Sequence, residues 1–226
     1  KKNINKDQLK NSLNKIKQIY LKNNWFPSVG TTRSENLFSK KEIFKLLKLD
    51  AKKPTAVIFN HIFWDGTFFY GEDTFPTYRD WFIETIKVAN KNRNLNWIIK
   101  PHPANKVQNS RNGISDTVTE EEKIIQKTFG QIPENFKILG SNNKINSWSL
   151  YQFLDYCLTI RGTPGIESAL FGSETILCGT GRYEKRGFSK YFKNKKDYRN
   201  YLLKLKKYPK KKYKVIKNAL LYADNV

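Results

Sequence analysis

Residues 55–60, Thr55-Ala56-Val57-Ile58-Phe59-Asn60, decide how the rest of the chain reads. The run is β-branched and apolar without alternation, is broken before by Pro54 and after by a polar loop, and is too short for a helix. It therefore reads as a strand buried on both faces. The same texture returns at 95–100 (LNWIIK), 136–139 (FKIL), 156–160 (YCLTI) and 175–178 (TILC). Between these runs lie helical patterns. Residues 78–90 put Trp81, Phe82, Thr85, Ile86 and Ala89 on one face, and Thr119 followed by three glutamates opens a helix reaching Phe129. Shorter helices are predicted over 149–154 and 164–171. Strands alternating with helices, without hairpin signals, predict an α/β fold: a Rossmann-like parallel sheet flanked by helices, spanning 54–206.

Outside that span the texture differs. Residues 7–24 space Leu9, Leu13, Ile16, Ile19 and Tyr20 as an amphipathic helix that needs a partner surface. A loop over 25–40 and a short helix over 41–49 follow, and Lys52-Lys53-Pro54 marks the boundary. Beyond Asn194, two lysine-rich helices separated by Pro209 are expected, so the chain divides into an N-terminal helical segment (1–53), the sheet domain (54–206) and a basic C-terminal helix (207–226).

With 226 residues, 38% hydrophobic and 14% aromatic, the chain can bury a substantial core. No apolar run approaches the roughly 18 residues of a membrane span. Cys157 and Cys178 lie in strand-like runs without CxxC spacing, which predicts two buried thiols in a reducing compartment. No secretory signal is visible, so the expected location is cytoplasmic. The sequence has no Met and begins Lys1-Lys2, as a piece of a longer product, or a sequence stripped of methionine, would. The net charge is +22, and the stretch 182–217 holds 16 Lys and Arg against Glu184 and Asp197, or +14 of it. Such a surface attracts phosphate on nucleic acid, on anionic lipid or on a substrate, and is equally the solvated face of a Lys- and Asn-rich chain.

Ligands of open α/β sheets bind at the carboxyl ends of the strands. The loop after the first strand, Asn60-His61-Ile62-Phe63-Trp64-Asp65-Gly66, offers Asp65 as base or nucleophile, or as a loop acid satisfying local amides. The loop after the second, Lys100-Pro101-His102-Pro103, holds its histidine on a stiff turn suited to meeting a phosphate. The loop after the fourth, Arg161-Gly162-Thr163-Pro164-Gly165-Ile166-Glu167, runs strand, glycine turn, helix, and predicts a phosphate site of free amides with Thr163 as cap. Glu167, one turn in, is either a ribose contact or a first-turn acid favoured by the dipole. No metal-ligand spacing is present. The tail aromatics Tyr191, Phe192, Tyr198, Tyr201, Tyr208 and Tyr213 could stack bases but have the spacing of core residues.

Taken in order, these loops with Tyr78-Arg79-Asp80-Trp81-Phe82, Trp97-Ile98-Ile99, Gly181-Arg182-Tyr183 and Gly187-Phe188 resemble the bacterial capsular polysaccharide biosynthesis proteins. In particular they are similar to the Kdo-transferase-type glycosyltransferases, over about 55–205. The resemblance implies a GT-B-like, metal-independent enzyme without a cofactor, of which this chain supplies part of the usual two Rossmann-like domains. It implies a CMP-activated donor, with His102 and Thr163 on its phosphate, Gly162 and Gly165 shaping that loop, and Glu167 on the ribose or cytidine. Arg182 and Lys100 would offset phosphate charge, Asp65 would be the nucleophile or base at the anomeric carbon, and Asp65 and His102 are the implied catalytic pair. The implied partners are a nucleotide sugar and a glycan or lipid-linked acceptor, and the charge of the Lys-rich C-terminal region would then hold the chain against an anionic membrane surface. A CDP-glycerol-type phosphotransferase uses similar His-Pro loops, and a nucleic-acid-binding module is the non-enzymatic alternative.

Overall fold

The computed structural model describes residues 6–21, 37–64, 71–102, 118–140, 143, 145–209 and 213–223. Six strands form one sheet: β1 (Thr55–Phe59), β2 (Asn96–Lys100), β3 (Phe136–Ile138), β4 (Tyr156–Thr159), β5 (Glu174–Leu177) and β6 (Ser189–Tyr191), in the order β3-β2-β1-β4-β5-β6. Every pairing is parallel, for example Val57 with Ile98 and with Cys157. The expected Rossmann-like sheet is therefore present, with one strand more than the sequence shows. Ser189-Lys190-Tyr191 has no apolar run to announce it. It is an edge strand whose partly exposed residues pair only with β5.

The helices are α1 (Lys6–Leu21), α2 (Lys40–Leu46), α3 (Tyr78–Lys91), α4 (Glu120–Phe129), α5 (Ser147–Tyr151), α6 (Pro164–Ala169), α7 (Lys195–Lys204) and α8 (Tyr213–Ala223). The capping residues set several starts: Thr77 accepts from the Asp80 amide, and Thr119 and Glu122 form a reciprocal capping box. α5 begins two residues before the expected 149 because the Asn146 side chain accepts from the Trp148 amide at 2.9 Å.

Side chains alternate across β1, so Ala56 and Ile58 enter one core while Val57 and Phe59 enter the other. The first core joins them to Trp81, Phe82 and Ile86 of α3, Ile125 of α4 and Tyr198 and Leu202 of α7. Here the Trp81 indole donates to the Tyr198 hydroxyl at 3.1 Å, and that hydroxyl lies 2.7 Å from Thr85 Oγ1, so the buried polar atoms bind α3 to α7. The second core collects Ile43 of α2, Trp148 and Tyr151 of α5, Ile166 of α6 and Leu220 of α8. α1 lies against α8 and sends Leu13 toward this core. Cys157 and Cys178 are free and buried, and burial pushes the Cys157 thiol up to about 12. Among the described residues no helix is long and apolar enough to cross a membrane.

Candidate functional site

The strand order places β1 beside β4, with the chain winding outward from that pair in both directions. The loops leaving the two strands diverge there and open the crevice in which ligands of such sheets sit. The Asn60 amide continues the ladder to the Lys100 carbonyl at 3.0 Å, and its side-chain amide donates to the buried Glu121 carboxylate at 2.7 Å.

His61 comes next and spans the crevice floor. Its Nε2 lies 3.0 Å from Thr159 Oγ1 and accepts from the backbone amides of Ile160 at 3.3 Å and Arg161 at 3.4 Å. A ring nitrogen facing two N–H donors must carry a lone pair, which puts the proton on Nδ1. The ring packs on Tyr78 at 4.7 Å between centroids and on Trp81 at 6.3 Å. Burial, then the nearby His102, Arg161 and Arg182, push its pKa down to about 3, so His61 stays neutral. His102 follows β2, Arg161 follows β4 and Arg182 follows β5, and of the three Arg161 is bonded to the ring directly through its amide.

Arg161 is held from below. Its guanidinium is ion-paired with Asp73, the two side chains being 5% and 10% exposed. Asp73 is fixed by an antiparallel bridge to Gly179, flanked by bonds from the Thr74 amide to the Cys178 carbonyl and from the Thr180 amide to the Glu72 carbonyl, both 2.9 Å. Only glycine fits at 179, since a Cβ would stand 2.6 Å from Asp73 Oδ1 and 2.9 Å from Arg161 Nε. Burial raises the Asp73 pKa, and Arg161 opposes the shift. Lys100, at the end of β2, donates to the Ile145 carbonyl at 2.9 Å, and burial brings its pKa down to about 8.

The loop after β4 is built differently from the expected amide cradle. Thr163 caps nothing with its side chain, because it already has helical φ and ψ of −53° and −31°. The Gly162 amide is bound to Thr159 Oγ1 at 3.2 Å and the Gly165 amide to the Gly162 carbonyl at 3.0 Å, so both glycine donors are used inside the loop. Pro164 does occupy the first helical turn. The glycines serve packing: a Cβ on Gly165 would collide with the Tyr183 hydroxyl, which reaches past it to the Gly162 carbonyl. Glu167 is buried and accepts from the Tyr151 hydroxyl at 2.5 Å, so a ribose contact would have to exchange that bond.

Of the residues singled out from the sequence, His102 and Arg182 act electrostatically on His61, Gly162 lies beside its ring, Lys100 ends β2 with its ammonium on the Ile145 carbonyl, and Thr163, Gly165 and Glu167 belong to the turn and helix after β4. Asp65 lies outside the described residues. Sequence reading puts the first loop's chemistry on Asp65 and passes over His61 and Asp73. His61 carried one usable signal, its position directly after the strand end. Asp73 carried none, being 88 residues from its partner.

No family model matches the chain, and neither does any curated protein sequence. Among solved structures it is similar to the sucrose-phosphate synthase of Thermosynechococcus elongatus, with a TM-score of 0.50 and 13% identity over 92% of this chain. The sheet is Rossmann-like, parallel throughout and flanked by helices. The likeness is one of fold, and the chain spans 51% of that protein's length. The wall teichoic acid polymerase TagF is matched with a TM-score of 0.44 and 10% identity over 81% of this chain and 41% of its own.

Proposed function

We propose that this chain carries the nucleotide-sugar site of a glycosyltransferase of surface polysaccharide synthesis, with a CMP-activated, Kdo-like sugar as donor and a glycan or lipid-linked glycan as acceptor. The observation that supports the reading most is the β1/β4 crevice itself, where His61 bonds the Ile160 and Arg161 amides and the charges of His102, Arg161 and Arg182 act on its ring. Glycosyl transfer breaks the bond between the anomeric carbon and a phosphate oxygen while the acceptor oxygen bonds to that carbon. Charge gathers on the departing phosphate, and fixed cations there stabilise the transition state without reorganising. His102 and Arg182, with the Thr163 hydroxyl, take the phosphate. Asp65 works at the anomeric carbon, as nucleophile or as base for the acceptor hydroxyl. Arg161 supplies field from below, held by Asp73.

The test is calorimetry and thermal shift with CMP, CDP, UDP and GDP on this chain and on His102→Ala. A ligand at about 100 times its Kd stabilises the fold by roughly 2.7 kcal/mol. Selective stabilisation by CMP, lost in the variant, is expected. Preference for CDP would move the reading to a CDP-glycerol-type phosphotransferase, and a folded chain indifferent to all four would overturn it.

A further inference from the structure

We infer that the outward face of α7, with the turn that follows it, docks on an anionic lipid bilayer; the inference takes its purpose from the glycosyltransferase reading and its residues from the geometry alone. α7 buries Tyr198 and Leu202, and Leu205 just beyond it, against α3 and the sheet. The Asn92 side chain fixes its end by donating to the carbonyls of Leu202 at 2.7 Å and Leu205 at 2.8 Å.

The outward face presents Lys196, Leu203 and Lys204, bordered by Lys195 beside the Phe75 ring and Arg199 beside Glu84, and the chain continues through exposed Lys206, Lys207 and Tyr208. Leu203 is 43% exposed and Tyr208 54%, set among cations instead of being buried. The acids beside them are already engaged: Glu84 pairs with Arg199, and Asp197 belongs to the cap made by Asn194. Among the described residues Lys196, Lys204, Lys206 and Lys207 form no ion pair.

An apolar side chain standing in a field of lysine on a helix face, with a half-exposed tyrosine in the turn that follows, matches an anionic interface, where the apolar group inserts and the ammonium groups meet headgroups. Nucleic acid would use the charge and the Tyr208 ring but has no use for the exposed Leu203, which offers no ring for a base to stack on. The orientation is informative. α7 runs from Lys195, whose ammonium lies 5.4 Å from the Phe75 ring, to the start of β4, where the Tyr156 hydroxyl donates to the Lys207 carbonyl at 2.6 Å. A bilayer against this flank lies along the strands, so the crevice at their carboxyl ends opens beside the membrane and is not covered by it.

Co-sedimentation with phosphatidylcholine vesicles, with and without about 30% phosphatidylglycerol, tests this. Binding is expected only with the anionic lipid. Lys196→Glu with Lys207→Glu should lower the partition coefficient about tenfold or more, and Leu203→Ser about fivefold, whereas Lys41→Glu with Lys45→Glu on α2 should change it less than about twofold. Equal losses at α2 and α7 would show diffuse attraction by the whole charge and overturn the assignment. So would absence of anionic-vesicle binding, or retention on duplex DNA that falls in the lysine variants and ignores Leu203→Ser. Unchanged circular dichroism keeps misfolding apart from lost docking. Vesicle binding by a chain that binds no nucleotide would leave this surface standing and overturn the glycosyltransferase reading.

Discussion

At the carboxyl ends of β1 and β4, Arg161 is enclosed and held by Asp73, while along α7 Lys196 and Lys204 stand in solvent outside any ion pair among the described residues. Both regions contribute to the +22 charge, but the physics of each is different. An enclosed cation has lost its hydration and depends on its partner, so the fold is committed to it. A solvated lysine costs the fold nothing, is screened by salt, and is available to something outside the molecule. The crevice charges are part of the structure; the α7 charges are a surface carried by it.

The largest expected effect lies on the enclosed side. Asp73→Ala leaves the Arg161 guanidinium buried without its carboxylate and should cost about 3–5 kcal/mol in urea unfolding. A loss below about 1 kcal/mol would show that Arg161 reaches solvent, and would erase the contrast with α7.

His61 gives the next effect and a pH signature. Its folded pKa of about 3 lies below the ordinary 6.5, so between those values the unfolded chain binds a proton that the folded chain refuses. Its contribution is therefore fully present above about 6.5 and is lost as the pH falls toward 3, with a slope of at most about 1.4 kcal/mol per pH unit. Unfolding midpoints at pH 7 and 5.5 should separate in the native chain and draw together in His61→Phe. That variant should also lose about 1–3 kcal/mol at pH 7, because the Ile160 and Arg161 amides lose their acceptor. Parallel pH slopes in the two proteins would mean that the imidazole is free to protonate in the fold.

Gly165→Ala drives a methyl group into the Tyr183 hydroxyl and should destabilise by about 1–3 kcal/mol. It should also weaken nucleotide binding, since the turn at Gly162 rests on that tyrosine. At the other end of the scale, Leu203→Ser should alter stability by less than about 0.5 kcal/mol. A larger cost would show that Leu203 packs, and would remove it from the docking face.

Much of this architecture was legible because it is local. β1, β2, β4 and β5 are short apolar runs ended by prolines or polar loops, and α3, α4, α7 and α8 carry their periodicity in neighbouring residues. β6 escaped because three residues at an edge need no apolar pattern when one neighbour supplies the pairing. The loops after β1, β2 and β4 were legible as loops at the carboxyl ends of strands for the same local reason, since each follows a strand directly. Their internal wiring was not. The Thr163 cap and the free glycine amides were natural expectations of strand, turn and helix; the first failed because Thr163 is already helical, and the second because Thr159 Oγ1 and the Gly162 carbonyl took up the two glycine amides.

Strand and helix type, and the concentration of charge in 182–217, follow from residues within a few positions of one another, and periodicity and composition are sufficient to state them. That His61 bridges to the amides after β4, that Asp73 holds Arg161, and that Leu203 faces outward among lysines depend on which strands pair and which helix faces find a partner. Those are long-range choices, made when burial of both sheet faces selects one strand order from the many that the same local elements would allow.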